Sequence, residues 1–389
     1  MTATIFSKKN VAIFGSTGSI GEHTLKIIEQ NLDEFYPRVL TAFNNFEKLI
    51  QQAKKFNPEY VCIGNDNYYS KVKEALEGLP IKVYAGTQGL IEVAEVKNDI
   101  VIAGITGIAG LPPTLAAIKN SDVLGLANKE SLVCAGQLFI EECKKHNTKI
   151  IPVDSEHNSL FQILSGDKNI NEVTKVTITA SGGPFLRKDL SEFAEIKLAD
   201  ALNHPNWSMG NKITVDSATM VNKALEVIEA YYLFPKVKNN IEVVVHPESI
   251  VHAIAHYVDG SVKALLAAHD MRVPIAYVLG YPKRIRQEEL SLDITQINTL
   301  TFEQPDLSKF RVLAMVRDVI AEGKALPIVF NAANEIFVNL FLNEIINFVD
   351  IVTNIESVLN NFANLEVENL EHIFEIDREA RSQANKLVA

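Results

Sequence analysis

Cysteine is scarce in this 389-residue chain. Cys62, Cys134 and Cys143 are odd in number and none stands in a CxxC spacing, which excludes a disulfide framework and a thiolate zinc site. A reducing compartment is the simple reading. Positive charge is also short, 37 Lys and Arg against 48 Asp and Glu, for a net −11. Such a surface argues against nucleic acid or an anionic membrane as partner, while leaving room for a local basic pocket that takes a phosphorylated small molecule. Long apolar runs are missing in all but one place. Ile100 to Ile118 is 19 residues without a charge, but it contains Gly104, Gly107, Gly110, Pro112 and Pro113. It reads as a buried strand (Ile100–Ala103), a Gly-rich loop, and a helix from Pro112 or Pro113, rather than as a membrane span. The opening MTATIFSKKNVAIFG has neither an apolar signal region nor an Arg/Ser-rich transit segment, so a cytoplasmic protein is expected.

What is there is ordinary globular material, 47% apolar and 22% charged, long enough for two or three domains. Short apolar runs alternate with amphipathic helical runs through the first 150 residues. Val11–Phe14, Val39–Ala42, Tyr60–Ile63, Ile81–Val83, Ile100–Ala103, Val123–Leu126 and Ile150–Val153 are the expected strands. Leu25–Gln30 and Phe46–Lys55 are examples of the helices between them. That alternation predicts an α/β fold with a parallel sheet covered on both faces, over 1–150. From 151 to 285 the texture is mixed α/β. It has a strand at Val173–Thr179, a helix after Thr214, another strand at Ile241–His246, and a hairpin turn signal at Asp259-Gly260. Residues 286–311 read as a linker, and 312–389 as a C-terminal helical bundle.

Residues 11–21, VAIFGSTGSIG, run from an apolar strand through Gly15, Gly18 and Gly21 into a helix starting near Ser19. Glycines permit a tight turn, and a helix N-terminus offers N–H groups to a pyrophosphate, so a Rossmann-like nucleotide site is expected. A plain βα turn is the alternative. The next strand ends at Ala42-Phe43-Asn44-Asn45 without the acid that usually holds an NAD ribose, which leans toward NADP. No Arg or Lys stands at the tip either.

Two clusters carry acids. In PVDSEHNSL (152–160), Asp154 and Glu156 are two apart after a strand. If the backbone stays extended, both carboxylates face one side and suit a hard divalent cation. If a helix starts there, Asp154 or Ser155 is its cap and acids are favoured by the dipole. In DSATMVNKALEVIE (216–229), Asp216 or Ser217 is expected as a helix cap, while Asn222, Lys223 and Glu226 line one helix side. They suit a phosphate and a third metal oxygen; a solvated Lys–Glu pair is the bland reading. SGGPF (181–185) is an anion-cradle pattern or a plain turn. HPNWSMG (204–210) is a loop around the chain's single tryptophan, Trp207. His246, His252 and His256 have no acidic partner in a zinc spacing, and a packed or interfacial face is the expectation.

Together with LANKESL (126–132) and NAANE (331–335), these segments resemble the 1-deoxy-D-xylulose 5-phosphate reductoisomerase family, in the family's order and across most of the chain. The resemblance implies rearrangement and NADPH-dependent reduction of that sugar phosphate to 2-C-methyl-D-erythritol 4-phosphate, with Mg²⁺, Mn²⁺ or Co²⁺, in the non-mevalonate isoprenoid pathway. It implies Asp154, Glu156 and Glu226 as metal ligands and, with Lys129, as catalytic residues. Ser181, His204, Ser217, Asn222 and Lys223 would hold the phosphorylated end of the substrate, and Ser155 and Lys129 its carbonyl and hydroxyl end. Thr17, Gly18, Ser19, Ile20, Asn45, Asn128, Glu130 and Gly210 would line the cofactor site. The 204–210 loop would be a lid that closes Trp207 over the ligands. A homodimer of three-domain subunits is implied as well, and the Asp259-Gly260 hairpin is the expected interface.

One departure stands out. Many members carry Gly-Lys/Arg-Asn after the second strand, where Phe43-Asn44-Asn45 stands here, so weaker discrimination of NADPH from NADH is expected. An ordinary NADP dehydrogenase would not need three acids, and a nucleotide-sensing module would bind cofactor without turnover.

Overall fold

Apolar runs of four to eight residues, each closed by a turn or a helix start, make strands that a helix crossover returns to the same sheet. The computed structural model describes residues 8–167, 169–207 and 209–388. Strand and helix alternate as β1 (Lys9–Phe14), α1 (Ser19–Gln30), β2 (Phe35–Ala42), α2 (Phe46–Phe56), β3 (Tyr60–Ile63), α3 (Tyr69–Ala75) and β4 (Lys82–Ala85). They continue as α4 (Gly86–Ala94), β5 (Asn98–Ala103), α5 (Leu111–Ile118), β6 (Ser121–Leu126), α6 (Lys129–His146), β7 (Lys149–Pro152) and α7 (Ser155–Ser165). All seven expected strands form, each bound within four residues of the expected one and Tyr60–Ile63 without change. The uncharged stretch becomes β5, a 3₁₀ turn and α5, with both prolines in the first turn of α5. No described helix is long and apolar enough to cross a membrane.

The seven strands form one parallel sheet in the order β4-β3-β2-β1-β5-β6-β7. Strand order reverses between β1 and β5, the place where open α/β sheets take ligands at their carboxyl ends. The sheet is buried on both faces, with Val11, Ile13, Leu40, Val61, Ile100 and Ile102 at its centre.

The remaining elements are β8 (Val173–Ala180), α8 (Leu198–Ala201), α9 (Asn211–Ala218), α10 (Val221–Leu233), β9 (Ile241–Val245), β10 (Val251–Tyr257), β11 (Val262–Leu266) and α11 (Arg272–Gly280). Four helices follow, α12 (Val312–Glu322), α13 (Leu326–Leu342), α14 (Phe348–Leu359) and α15 (Leu370–Lys386). A second sheet has the order β11-β10-β8-β9, with β10 and β11 joined by the expected hairpin and only β8–β9 parallel. The chain divides into two compact units. One contains the seven-stranded sheet, from the start through Ser131, with Leu138–Asn158 and Asp270–Ser291. The other contains Leu132–Gln137, Ser159–His269 and Leu292–Ala389, and so holds the second sheet and α12 to α15.

The expected single helix after Thr214 is two. Met220 adopts φ 64°, and this left-handed residue separates α9 from α10. Residues 286–311 are not featureless: they contain two 3₁₀ turns, and Glu303 bridges antiparallel to Val245 at the edge of β9.

Candidate functional site

The nucleotide loop leaves β1 at the strand-order reversal. Gly15 has φ 81°, and a Cβ there would sit 2.9 Å from the Gly104 carbonyl oxygen, so the loops after β1 and β5 touch only because this residue is glycine. Gly18 is the N-cap of α1 without a side chain of its own, which leaves the first-turn N–H groups near Ser19 and Ile20 to an outside anion. Sequence reasoning missed the support beneath this turn. Ser16 Oγ donates to Gln52 Oε1 at 2.7 Å, Gln52 Nε2 donates back to the Ser16 carbonyl at 2.9 Å, and Gly15 N donates to Thr41 Oγ1 at 3.0 Å.

At the end of β2, Phe43 is 68% exposed. Asn44 Oδ1 accepts from Asn65 Nδ2 at 2.8 Å, and Asn45 caps α2 by accepting from Lys48 N at 3.2 Å. Lys48, the nearest basic residue in sequence, pairs with Glu22. Asn128 caps α6: its Oδ1 accepts from Ser131 N at 3.0 Å and its Nδ2 donates to the Gly107 carbonyl at 3.0 Å. Glu130 is buried in the first turn of that helix. Gly210 precedes α9, and a Cβ on it would meet nothing within 4 Å.

Asp154 and Glu156 do not continue an extended strand. β7 ends at Pro152 and α7 begins at Ser155, so Asp154 is the residue before the helix and Glu156 lies in its first turn. The helix-start reading is therefore the local structure, and the period-two argument falls. Asp154 forms an ion pair with buried Lys129, at the start of α6. Ser155 Oγ donates to Glu156 Oε2 at 2.7 Å. All of these donors are carboxylate or hydroxyl oxygens, the set that hard divalent cations take.

In the second unit, β8 runs out at Ala180 into SGG. Gly183 has φ 64°, and a Cβ on it would be 2.8 Å from the Ser217 carbonyl oxygen, so glycine lets this loop lie directly against α9. The approach gathers three predicted residues. His204 Nε2 lies 3.1 Å from Ser181 Oγ and 3.1 Å from Ser217 Oγ. The other ring nitrogen fixes the tautomer: Nδ1 accepts from the backbone N–H of Asn206 (3.2 Å) and of Trp207 (3.0 Å). The proton of the neutral ring therefore sits on Nε2 and points at the two hydroxyls.

Burial lowers the pKa of His204 below its ordinary 6.5. The folded state thus prefers the neutral ring, and its contribution to stability is complete above about pH 6.5 and shrinks as pH falls below that value. The stability advantage of the wild type over His204→Gln, from urea unfolding, is expected to be larger at pH 8 than at pH 5.5. A gap that stays constant or widens toward acid would contradict the neutral ring in the folded state.

Asp216 and Ser217 are not helix caps; both lie inside α9. Asp216 is buried and fixed by Lys212 Nζ at 2.8 Å and by Asn334 Nδ2 at 2.9 Å. Asn334 belongs to NAANE on α13, so the C-terminal helices hold the residue beside Ser217. Past the Met220 break, Asn222 Nδ2 donates to Glu226 Oε1 at 2.6 Å and Lys223 Nζ pairs with Glu226 Oε2 at 2.5 Å. The solvated-pair reading fails on burial, since the Lys223 and Glu226 side chains are 4% and 2% exposed.

The three strand-region histidines are structural. His246 Nδ1 donates to the Thr301 carbonyl at 2.7 Å, its Nε2 accepts from the N–H of Ile250 and Val251, and its ring stacks on Phe302. His252 is buried, with Nε2 3.3 Å from the Ala267 carbonyl, and His256 Nε2 meets Thr177 Oγ1 at 3.0 Å. Trp207 lies on its loop with the indole against the ring of His269, a contact that 61 intervening positions hid from sequence reading.

Three family models match the chain. One described as 1-deoxy-D-xylulose 5-phosphate reductoisomerase covers residues 11–136, its C-terminal domain covers 150–234, and a further DXP reductoisomerase C-terminal domain covers 266–383. The reductoisomerase of Bacteroides thetaiotaomicron is 45% identical over 382 residues, 98% of each chain. That of Zymomonas mobilis is 44% identical over 380 residues, again 98% of each. Among solved structures, the Zymomonas mobilis enzyme in complex with NADPH matches with TM-score 0.92 at 42% identity, covering 98% of this chain and 99% of that one. A DOX-P reductoisomerase in complex with NADPH, fosmidomycin and magnesium matches with TM-score 0.91 at 40% identity, covering 98% of both chains.

Proposed function

The chain belongs to the 1-deoxy-D-xylulose 5-phosphate reductoisomerase family, and from that premise we propose how its residues divide the work. It is an NADPH-dependent oxidoreductase with an isomerase step. It converts 1-deoxy-D-xylulose 5-phosphate to 2-C-methyl-D-erythritol 4-phosphate with a divalent metal, in the non-mevalonate route to isoprenoid precursors. The observation that carries the assignment of roles is the His204 imidazole set between Ser181 and Ser217 with its proton facing both. Two hydroxyls and one N–H donor converging beside a Gly-Gly turn suit a phosphate, and Asn222 and Lys223 complete the seat with an amide and a cation.

Asp154, Glu156 and Glu226 are the metal ligands on this reading. Their donors fit in kind: all three offer carboxylate oxygens, the ligands a hard divalent cation takes, and Asp154 and Glu226 each lie beside a lysine ammonium. Bound by these residues, a divalent metal would supply Lewis-acid polarisation of the substrate carbonyl, and NADPH would supply the hydride. Lys129 and Ser155 orient the carbonyl and hydroxyl end of the substrate. The remote phosphate seat fixes direction, so that binding energy is spent on alignment of the reacting carbons. Trp207, carried on the 204–210 loop, excludes water from the rearranged intermediate. Thr17, Gly18, Ser19 and Ile20 receive the cofactor pyrophosphate, with Asn45, Asn128, Glu130 and Gly210 lining the rest of its site.

Nicotinamide oxidation with 1-deoxy-D-xylulose 5-phosphate and Mg²⁺, Mn²⁺ or Co²⁺, with and without EDTA, tests this directly. Chelator-sensitive turnover is expected, and folded protein that binds NADPH without turnover would point to a sensing module instead. The same assay reads cofactor choice. The Asn44 amide stands where many members carry a guanidinium or ammonium, Asn45 matches the family, and Lys48 is engaged by Glu22. The preference for NADPH over NADH in kcat/KM is expected to stay below about 10², and Asn44→Arg to raise it about tenfold, the value of one charge-assisted hydrogen bond. A wild-type preference of several orders of magnitude would refute this.

The three-part division at 1–150, 151–285 and 312–389 and a cytoplasmic setting remain part of the reading. So does a homodimer: β11 is an edge strand with Val262 exposed beside exposed Val258, and an unpaired edge is a template for a second copy.

A further inference from the structure

The loop that carries Trp207 is fastened to one rigid segment at two consecutive residues. That segment is 246–251. His246 pins it by accepting from Ile250 N and Val251 N, at 3.2 and 3.1 Å, while donating to the Thr301 carbonyl at 2.7 Å. Glu248 pins it again, accepting from Thr301 N at 3.1 Å and Thr301 Oγ1 at 2.7 Å. Asn206 attaches directly, its Nδ2 donating to the Pro247 carbonyl at 2.6 Å and to Ser249 Oγ at 3.0 Å. Trp207 attaches through an intermediary. His269 Nε2 donates to the Glu248 carbonyl at 2.7 Å, which fixes its ring, and the ring meets the indole at a centroid distance of 5.8 Å and 54°. That geometry lies within the range of favourable aromatic pairs.

We propose that His269 is a positioning residue for the reaction: it is the seat of Trp207, holding the indole in one orientation before substrate arrives. The inference rests on the reading of 204–210 as the loop that closes over substrate. Neither ring is buried in a core, so the contact does little for the fold. It removes rotamer freedom from a large side chain that must otherwise be ordered when substrate binds. His269 touches neither substrate nor cofactor on this account.

Trp207 is the chain's single tryptophan, so tryptophan fluorescence reports on this side chain alone. The test uses the full-length enzyme as His269→Ala and His269→Phe, each checked for an unchanged melting temperature. In the ligand-free protein, the acrylamide quenching constant of Trp207 is expected to rise about twofold in His269→Ala and to stay near wild type in His269→Phe, where an aromatic ring remains. In turnover, His269→Ala is expected to raise KM for 1-deoxy-D-xylulose 5-phosphate about three- to tenfold, the range an aromatic pair supplies, with kcat within twofold. His269→Phe should recover most of that loss. Unchanged quenching in His269→Ala, or changed quenching with unchanged KM, overturns the proposal. Failure of the functional reading looks different: wild-type protein would not turn over the substrate at all, while the His269-dependent quenching persisted.

Discussion

Glu226→Gln is expected to lower kcat at saturating Mg²⁺ by about 10³-fold, with NADPH affinity within about twofold of wild type. The substitution keeps the size of the side chain and the hydrogen bond from Asn222, which reaches Oε1 at 2.6 Å. What it removes is one negative charge, at an oxygen 2.5 Å from the Lys223 ammonium and 2% exposed as a side chain. Lewis-acid stabilisation of a developing oxyanion amounts to several kcal/mol, and about 4 kcal/mol corresponds to that factor. Calorimetric titration with Mg²⁺ in the presence of a substrate analogue should show the matching loss of affinity. Full activity in Glu226→Gln would return this residue to the status of an intrahelical ion pair. The nucleotide loop lies in the other compact unit, so cofactor affinity is expected to be little changed, and a retained cooperative melting transition is the control for correct folding around Glu226.

Strand alternation was legible because it depends on the local pattern alone. Val11–Phe14 and Tyr60–Ile63 are apolar on both faces, as a strand covered by helices must be, and each is closed within a residue or two by Gly15 or Gly64. The Asn222–Lys223–Glu226 grouping was legible for the same reason: i,i+3 and i,i+4 neighbours meet on any helix. The α9–α10 break was not. It is made by Met220 at φ 64°, and a left-handed methionine carries no signal of the kind Gly or Asn gives. Reading one helix there turned Asp216 and Ser217 into caps, whereas they are interior residues of the helix before it. The segment around Asp154 failed differently. Val-Asp-Ser-Glu suits the end of a strand and the start of a helix equally, and only the position of α7 decides between them.

The parts that were illegible are those closed by residues far apart in sequence. Gln52 beneath Ser16, Asn334 beside Asp216 and His269 against Trp207 each join elements that no periodicity relates. They share a physical role. Each fixes a side chain or turn of the proposed site. The C-terminal helices act in this way throughout. Beyond Asn334, the Phe185 ring of the SGGPF loop packs edge-on against Phe348 of α14 at 5.0 Å and, tilted, against Phe193 at 6.1 Å. A helical region with no candidate chemistry of its own thus holds both α9, by a buried amide–carboxylate bond, and the glycine loop, by aromatic packing, the two segments that form the proposed phosphate seat.

Lys223→Met has two expected consequences, and their combination separates a binding role from a structural one. As part of the phosphate seat, Lys223 supplies the cation, so kcat/KM is expected to fall about 10²- to 10³-fold, chiefly through KM, in proportion to the loss of one charge-assisted contact in a water-poor site. As the partner of Glu226 Oε2 it also balances a buried carboxylate. Removing one member of such a pair costs about 3–5 kcal/mol, so a clear fall in the urea midpoint is expected. In the double variant Lys223→Met/Glu226→Gln no buried charge is left to balance, and most of that stability should return. Catalysis should not return, because cation and carboxylate would both be gone from the places where phosphate and metal need them. A double variant that recovered stability and activity together would show that the pair serves only to hold α10 in place. Recovery of stability alone would establish that a buried ion pair of modest net value to the fold is kept because each half has a ligand to meet.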